Sequence, residues 1–148
     1  MKTHPIFLRI LIFVLVCSCS FTSKEIQFHN SHEPNRANVP FSDVVETENL
    51  LFLTGQIGKD HKAGALVSGG IKSETKQVIE NIRDVLEHHN SSLDRVVKCT
   101  VILKNIEDFK DFNSVYTTYF TNKPARTTFA ASGLAGGASI EIDVIASK

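Results

Sequence analysis

The sequence predicts an α+β domain: one mixed β-sheet with two helices packed on a single face. Three observations carry this reading. Two segments place apolar residues at helical spacing, and the last segment alternates apolar and polar residues with a period of two. The elements also follow one another in the order ββ-α-β-α-ββ, with turn residues between them. At 148 residues the chain is long enough for one domain.

Residues 1–19 stand apart from that domain. Lys2 and Arg9 flank the start of an apolar run from about Ile6 to Val16. The run is about half the ~20 residues that a membrane-spanning helix needs, and it reads as the hydrophobic region of a secretory signal peptide. Val16-Cys17-Ser18-Cys19-Ser20 follows. It resembles a bacterial lipobox with Cys19 as the acylated residue, although Cys17 and Val16 depart from the usual pattern. A plain cleaved signal near Ser18 to Ser20 is the alternative. Either way the expectation is an exported domain, touching a membrane only through an N-terminal lipid. Residues 20–38 are polar and read as a linker, with the domain at 39–148.

Within the domain, Val44-Val45 and Leu50 to Leu53 are short apolar runs separated by Glu46-Thr47-Glu48-Asn49, a hairpin pattern. Gly55 and Gly58 bracket the end of the second strand, where a glycine marks a bulge or a close backbone approach. Lys59 to Gly70 reads as a loop. Ser73 to Asn90 reads as a helix through Val78, Ile79, Ile82, Val85 and Leu86, with Ser73 as N-cap, Glu74 in the first turn and Asn90 as terminator. Asp94 to Leu103 is a β-branched strand. A second helix runs from Asn105 or Ile106 to Thr121, with Phe109, Phe112, Tyr116, Tyr119 and Phe120 on its apolar face. Asn105-Ile106-Glu107-Asp108 resembles a capping box. Arg126 to Ala131 and Ala138 to Ser147 are the last strands. In the final one Ala138, Ile140, Ile142, Val144 and Ala146 share a face. Ser139, Glu141, Asp143, Ile145 and Ser147 share the other, which must meet solvent or another subunit.

Composition excludes some functions. The formal charge is zero, and removing residues 1–19 leaves the remainder slightly acidic. With no basic stripe, a nucleic-acid footprint is not indicated. Of three cysteines only Cys99 lies in the domain, so an internal disulfide there is ruled out. Cys99 sits on the apolar face of an alternating strand and reads as a small buried hydrophobe. His29, His32, His61, His88 and His89 show no metal-ligand spacing and read as surface or loop residues, so no metal is expected.

The candidate chemistry lies near the C-terminus. Arg126 follows Pro124-Ala125, and its planar fork matches a carboxylate bidentately. Glu141 projects from the polar face of its strand and is placed to act on a water as general base. A simple Arg126–Glu141 or Arg126–Asp143 salt bridge would also account for these residues. Asn113 borders the apolar face of its helix, either bonding to backbone or lining a cavity. Thr54-Gly55-Gln56 either presents N–H groups to an anion or forms a bulge.

Five segments together resemble the YjgF/Rid (reactive intermediate deaminase, endoribonuclease L-PSP-like) family. They are Leu53-Thr54-Gly55-Gln56-Ile57, Val96-Val97-Lys98-Cys99-Thr100-Val101, Asp111-Phe112-Asn113-Ser114-Val115-Tyr116, Pro124-Ala125-Arg126 and Ile140-Glu141-Ile142-Asp143-Val144-Ile145-Ala146. The resemblance covers about Pro40 to Ser147. It implies a chorismate-mutase-like fold, a homotrimer and ligand clefts between subunits. It further implies that Arg126 binds the carboxylate of a 2-imino or 2-enamino acid and that Glu141 orients the attacking water. Thr54, Gly55, Asn113, Thr128 and Phe41 would line the cleft, with no metal or organic cofactor. Departures are Phe41 where many members have Tyr, Thr54 for Ser, Thr128 for a frequent Cys, and Ala135 for a frequent Pro. Two functions follow: an exported imine/enamine deaminase, or a non-catalytic trimer that binds a small carboxylate.

Overall fold

The computed structural model describes residues 25–148. The segment read as a signal peptide, with Cys19, lies outside the described residues. The strands are β1 (Gln27–His29), β2 (Val44–Glu46), β3 (Leu50–Leu53), β4 (Gln56–Ile57), β5 (Lys59–Asp60), β6 (Ala65–Leu66), β7 (Val96–Leu103), β8 (Ala125–Ala130) and β9 (Ile140–Ser147). The helices are α1 (Gly70–His88) and α2 (Phe109–Tyr119).

The main sheet runs β1-β2-β3-β9-β7-β8, with β4 also paired to β9, and β5-β6 form a separate two-stranded ribbon. All pairs in the main sheet are antiparallel except β7 with β8, which are parallel and joined through α2. The sheet is therefore mixed, and the expected order of strands and helices is present.

The two apolar stripes build the core. Val78, Ile79, Ile82, Val85 and Leu86 of α1 are all buried, as are Phe112 and Tyr116 of α2 and Phe120 just beyond it. They pack on Cys99, Val101 and Leu103 of β7 and on Ile140, Ile142, Val144 and Ala146 of β9. Burying each large side chain contributes about 1.5–3 kcal/mol. Strand β9 alternates buried and half-buried positions along its whole length, as its period of two predicts.

Several local expectations are corrected. Part of the stretch read as linker belongs to the fold: Gln27–His29 pairs with β2, and Pro34–Arg36 forms a 3₁₀ turn. Its polar composition hid an edge strand, which needs few apolar residues. Helix α1 begins at Gly70, not after Ser73, because Gly69 takes φ 109°, a left-handed conformation suited to glycine. Asn90 is left-handed as expected, with φ 58°. Asn105 makes no side-chain cap, and α2 is entered through a 3₁₀ turn at Ile106–Asp108. Phe109 is 40% exposed and not part of the buried face. The loop read at 59–70 contains the β5-β6 ribbon.

Glu74, placed by its sequence position near the helix dipole, instead reaches across to Ser139. It accepts from the Ser139 backbone N–H at 2.8 Å and from its hydroxyl at 2.6 Å. This contact ties α1 to the start of β9. Gly58 permits the approach: a Cβ there would lie 2.7 Å from Glu74 Cβ and 2.8 Å from its Cα. Asn81 is a second tie. Its Nδ2 donates to the Ile57 and Lys59 carbonyls at 3.1 and 2.9 Å, and it accepts from Gln77.

The face of the sheet away from the helices is less polar than the sequence pattern implied. Phe52 pairs with Ile145, and Phe129 with Ile102, so these four residues share it with Lys98, Thr100, Glu141 and Asp143. Phe52 is 39% and Phe129 45% exposed. Among the described residues, no helix is long and apolar enough to cross a membrane.

Candidate active site

Register places the two key residues. Arg126 on β8 is level with Cys99 on β7, and Cys99 is buried under the helices, so Arg126 lies on the helix face. Glu141 is level with Ile102 on β7 and Ile57 on β4 and lies on the opposite face. Strand β7 separates them. The intrachain Arg126–Glu141 salt bridge is therefore ruled out, and Asp143, level with Thr100, is likewise on the face away from Arg126.

Glu141 lines a cavity of about 290 Å³ with Arg36, Phe41, Thr54, Gly55, Ile57, Lys59, His61 and Ala135. The floor is a strand irregularity. Phe52 pairs with Ile145 and Gln56 with Ile142, so Thr54-Gly55 carries one residue more than the opposed stretch of β9. A bulge of this kind re-aims side chains next to a site. The register thus supports the bulge reading of Thr54-Gly55, and the Thr54 N–H donates to the Asp43 carbonyl at 3.0 Å. A Cβ on Gly55 would lie 2.0 Å from Glu141 Oε1. Gly55→Ala is expected to displace the carboxylate and lower turnover while the melting temperature changes little, because the atom it meets is the mobile end of a side chain. Wild-type turnover in that variant would show that Glu141 placement is immaterial.

Burial, and then the neighbouring Asp143 carboxylate, raise the Glu141 carboxyl above its usual value. His61 is shifted the other way, first by burial and then by Arg36, which favours its neutral form.

The wall of this cavity holds residues that the sequence did not single out. Arg36 donates to Gln56 Oε1 at 2.5 Å and to Asp43 Oδ1 at 2.7 Å. Asp43 and Gln56 are almost wholly buried, so the guanidinium neutralises an otherwise unsupported charge. The signal for Arg36 was weak: one cation in a polar stretch.

Arg126 lines a second cavity of about 360 Å³ with Asn113, Tyr116, Thr117, Phe120, Lys123 and Pro124. Its guanidinium lies 4.5 Å from the Tyr116 ring centre, 5.1 Å from Phe112 and 5.7 Å from Phe109. These rings hold the guanidinium by cation–π attraction, and its planar fork suits a planar anion. Asn113 is half-buried beside it, which favours the cavity-lining reading. Thr128 shares the Arg126 face but lines neither cavity, and its buried hydroxyl has no protein partner among the described residues. Tyr116 donates to Cys99 Sγ at 3.3 Å, and burial pushes the Cys99 thiol up to about 11, so it is inert near neutral pH.

The residues foreseen from sequence thus divide into two groups, Phe41-Thr54-Gly55-Glu141 and Asn113-Arg126, on opposite faces of one sheet. The family model described as Endoribonuclease L-PSP matches residues 31–148. This chain belongs to the YjgF/Rid family. The human protein named 2-iminobutanoate/2-iminopropanoate deaminase is 39% identical over 108 residues, covering 72% of this chain and 79% of that one. A RutC family protein of Pyrococcus horikoshii is 46% identical over 110 residues, covering 74% and 87%. Among solved structures, a yeast protein superposes with a TM-score of 0.78 at 41% identity, covering 84% of this chain and 99% of that one. A Rid family protein of Yersinia pestis gives 0.78 at 32% identity, covering 84% and 100%. The Rid fold is therefore that of a mixed sheet backed by two helices, as the sequence predicts.

Proposed function

We propose that this Rid family chain hydrolyses short 2-imino or 2-enamino acids to 2-keto acids and ammonia, at a site completed between copies of the chain in a homotrimer. The observation that carries the reading is Glu141: a half-buried carboxyl with a raised pKa, held over Gly55 in a small cavity. The names of the mammalian relatives support the substrate class.

The chemistry asks for little beyond positioning. Arg126 holds the substrate carboxylate. Glu141 takes a proton from water as the water oxygen bonds to the imine carbon and the C=N electrons move to nitrogen. That proton passes from Glu141 to the nitrogen to give a carbinolamine; the hydroxyl proton then follows to the nitrogen by way of the same carboxylate as the C–N bond breaks, so that ammonia leaves as the carbonyl forms. A carboxyl with a raised pKa is a stronger base for the first step and a ready donor for the second. The apolar residues Phe52, Ile102, Phe129 and Ile145 on the open sheet face supply a contact surface for other copies. An RNA-cleaving role would call for a basic track to hold phosphates, and the chain is neutral overall.

The test is a coupled assay in which an amino-acid oxidase generates the imine in the presence of the full chain. Keto-acid release above the buffer rate is expected; a folded chain with no acceleration would favour the non-catalytic carboxylate-binding reading. The pH profile adds a second check. The base form of Glu141 is active, so the rate falls as pH drops through a pKa held above the ordinary 4.5. Asp143→Asn removes a like charge and is expected to move that acid limb to lower pH; an unmoved limb would assign it to another group.

Export rests on Lys2, Arg9, the apolar run and Cys19. Under this proposal Cys19→Ala releases the chain from membranes, whereas persistent membrane association would count against the lipid anchor.

A further inference from the structure

The histidines that lacked metal-ligand spacing in the sequence are gathered by the fold. Strand β1 lies beside β2, and the end of α1 comes up against both. His29 Nε2 is 3.0 Å from Glu46 Oε2. The His89 ring centre lies 4.7 Å from that of His29, nearly edge-on. One donor atom from each of His29, Glu46 and His89 lies within 4.8 Å of the others. All three residues are half-buried, drawn from segments far apart in the chain.

We propose that His29, Glu46 and His89 form a binding site for a divalent transition-metal ion of the zinc class. Two imidazoles and one carboxylate are a recurrent zinc donor set, with metal–ligand distances of about 2.0–2.2 Å. Those lengths put donor atoms about 3.3 Å apart around a tetrahedral ion, so small side-chain rotations close the set. Mixed nitrogen and oxygen donors favour zinc, cobalt, nickel or copper over magnesium or calcium. The other Glu46 oxygen accepts from Lys148 Nζ, which orients the carboxylate from behind.

Neighbouring rings fill the flank without joining the donor set. His88 lies 5.4 Å from His89, and His32 stacks on His88 at 4.4 Å between ring centres. None of the three proposed ligands lines the Glu141 or Arg126 cavities. The metal would fasten the edge strand β1 to β2 and to the end of α1. It would stabilise the native chain by binding it in preference to the unfolded one.

The test uses the full chain without an affinity tag, stripped with chelator and titrated with ZnCl₂ and, separately, CoCl₂. One Zn²⁺ per chain is expected, with a rise in melting temperature, and Co²⁺ should develop visible bands. His29→Ala and His89→Ala should each weaken Zn²⁺ binding more than about 100-fold and remove the Co²⁺ bands. Their metal-free circular dichroism should match that of wild type. His89→Asn provides a smaller change with the same expected loss. His32→Ala should bind as wild type does. Absence of binding by the wild-type chain would overturn the proposal. So would undiminished binding by the His29 and His89 variants, or loss confined to His32→Ala.

Discussion

An Arg126→Ala chain is expected to lose about 10²–10³-fold in kcat/KM on a short 2-imino acid, mostly through a higher KM. Truncating one partner of a desolvated charge pair costs about 2–5 kcal/mol, and each 1.4 kcal/mol is tenfold. The guanidinium lies 4.5–5.7 Å from the ring centres of Tyr116, Phe112 and Phe109, so its removal also forfeits cation–π contacts of about 0.5–1 kcal/mol at exposed sites. A modest fall in melting temperature should accompany the kinetic loss. Arg126→Lys separates the two contributions. It keeps the charge but not the fork and should recover only part of the affinity. Full activity in Arg126→Ala would remove this residue from the site.

Glu141→Gln is expected to act on kcat rather than KM. Glutamine keeps the size of the side chain and its place over Gly55 but cannot take the proton from water. Positioned acid–base groups contribute about 10²–10⁴-fold, so kcat should fall by a factor in that range. The fold should not suffer, because the substitution removes a carboxyl that burial and Asp143 both oppose ionising. Initial rates over a range of substrate concentrations measure both constants. An unchanged kcat would mean that the proton is carried elsewhere, and His61 on the same cavity wall would be the group to substitute next.

The extent to which these features were legible in the sequence follows from the range of the interactions involved. The α1 stripe and the β9 alternation are local patterns, and Val78, Ile79, Ile82, Ile140 and Ile142 are all fully buried as those patterns require. Arg126 and Glu141 were visible through the segments around them. Their separation onto opposite faces was not, because it depends on β7 lying between β8 and β9 with a specific register. The start of α1 was misplaced because Ser73 is a good cap by type, whereas the turn is made by the backbone freedom of Gly69. Arg36, Asn81 and Glu74 were missed for a common reason. Each is an ordinary polar residue with a partner twenty or more positions away, Gln56, Ile57 and Ser139 respectively, and nothing local announces the pairing. The His29-Glu46-His89 grouping is the same case, built by an edge strand that read as linker.

The placement of these residues on opposite faces of one sheet leads to the proposal that Arg126 of one copy works with Glu141 of another. The most direct test mixes two defective chains. Arg126→Ala and Glu141→Gln would be unfolded together and refolded as mixed oligomers, then assayed for imine hydrolysis. With random assembly about a quarter of the shared sites pair an intact Arg126 with an intact Glu141, so about a quarter of wild-type activity per chain is predicted. The same two chains mixed after separate folding should stay inactive. Activity in the co-refolded sample no greater than in the separately folded mixture would contradict a site shared between copies.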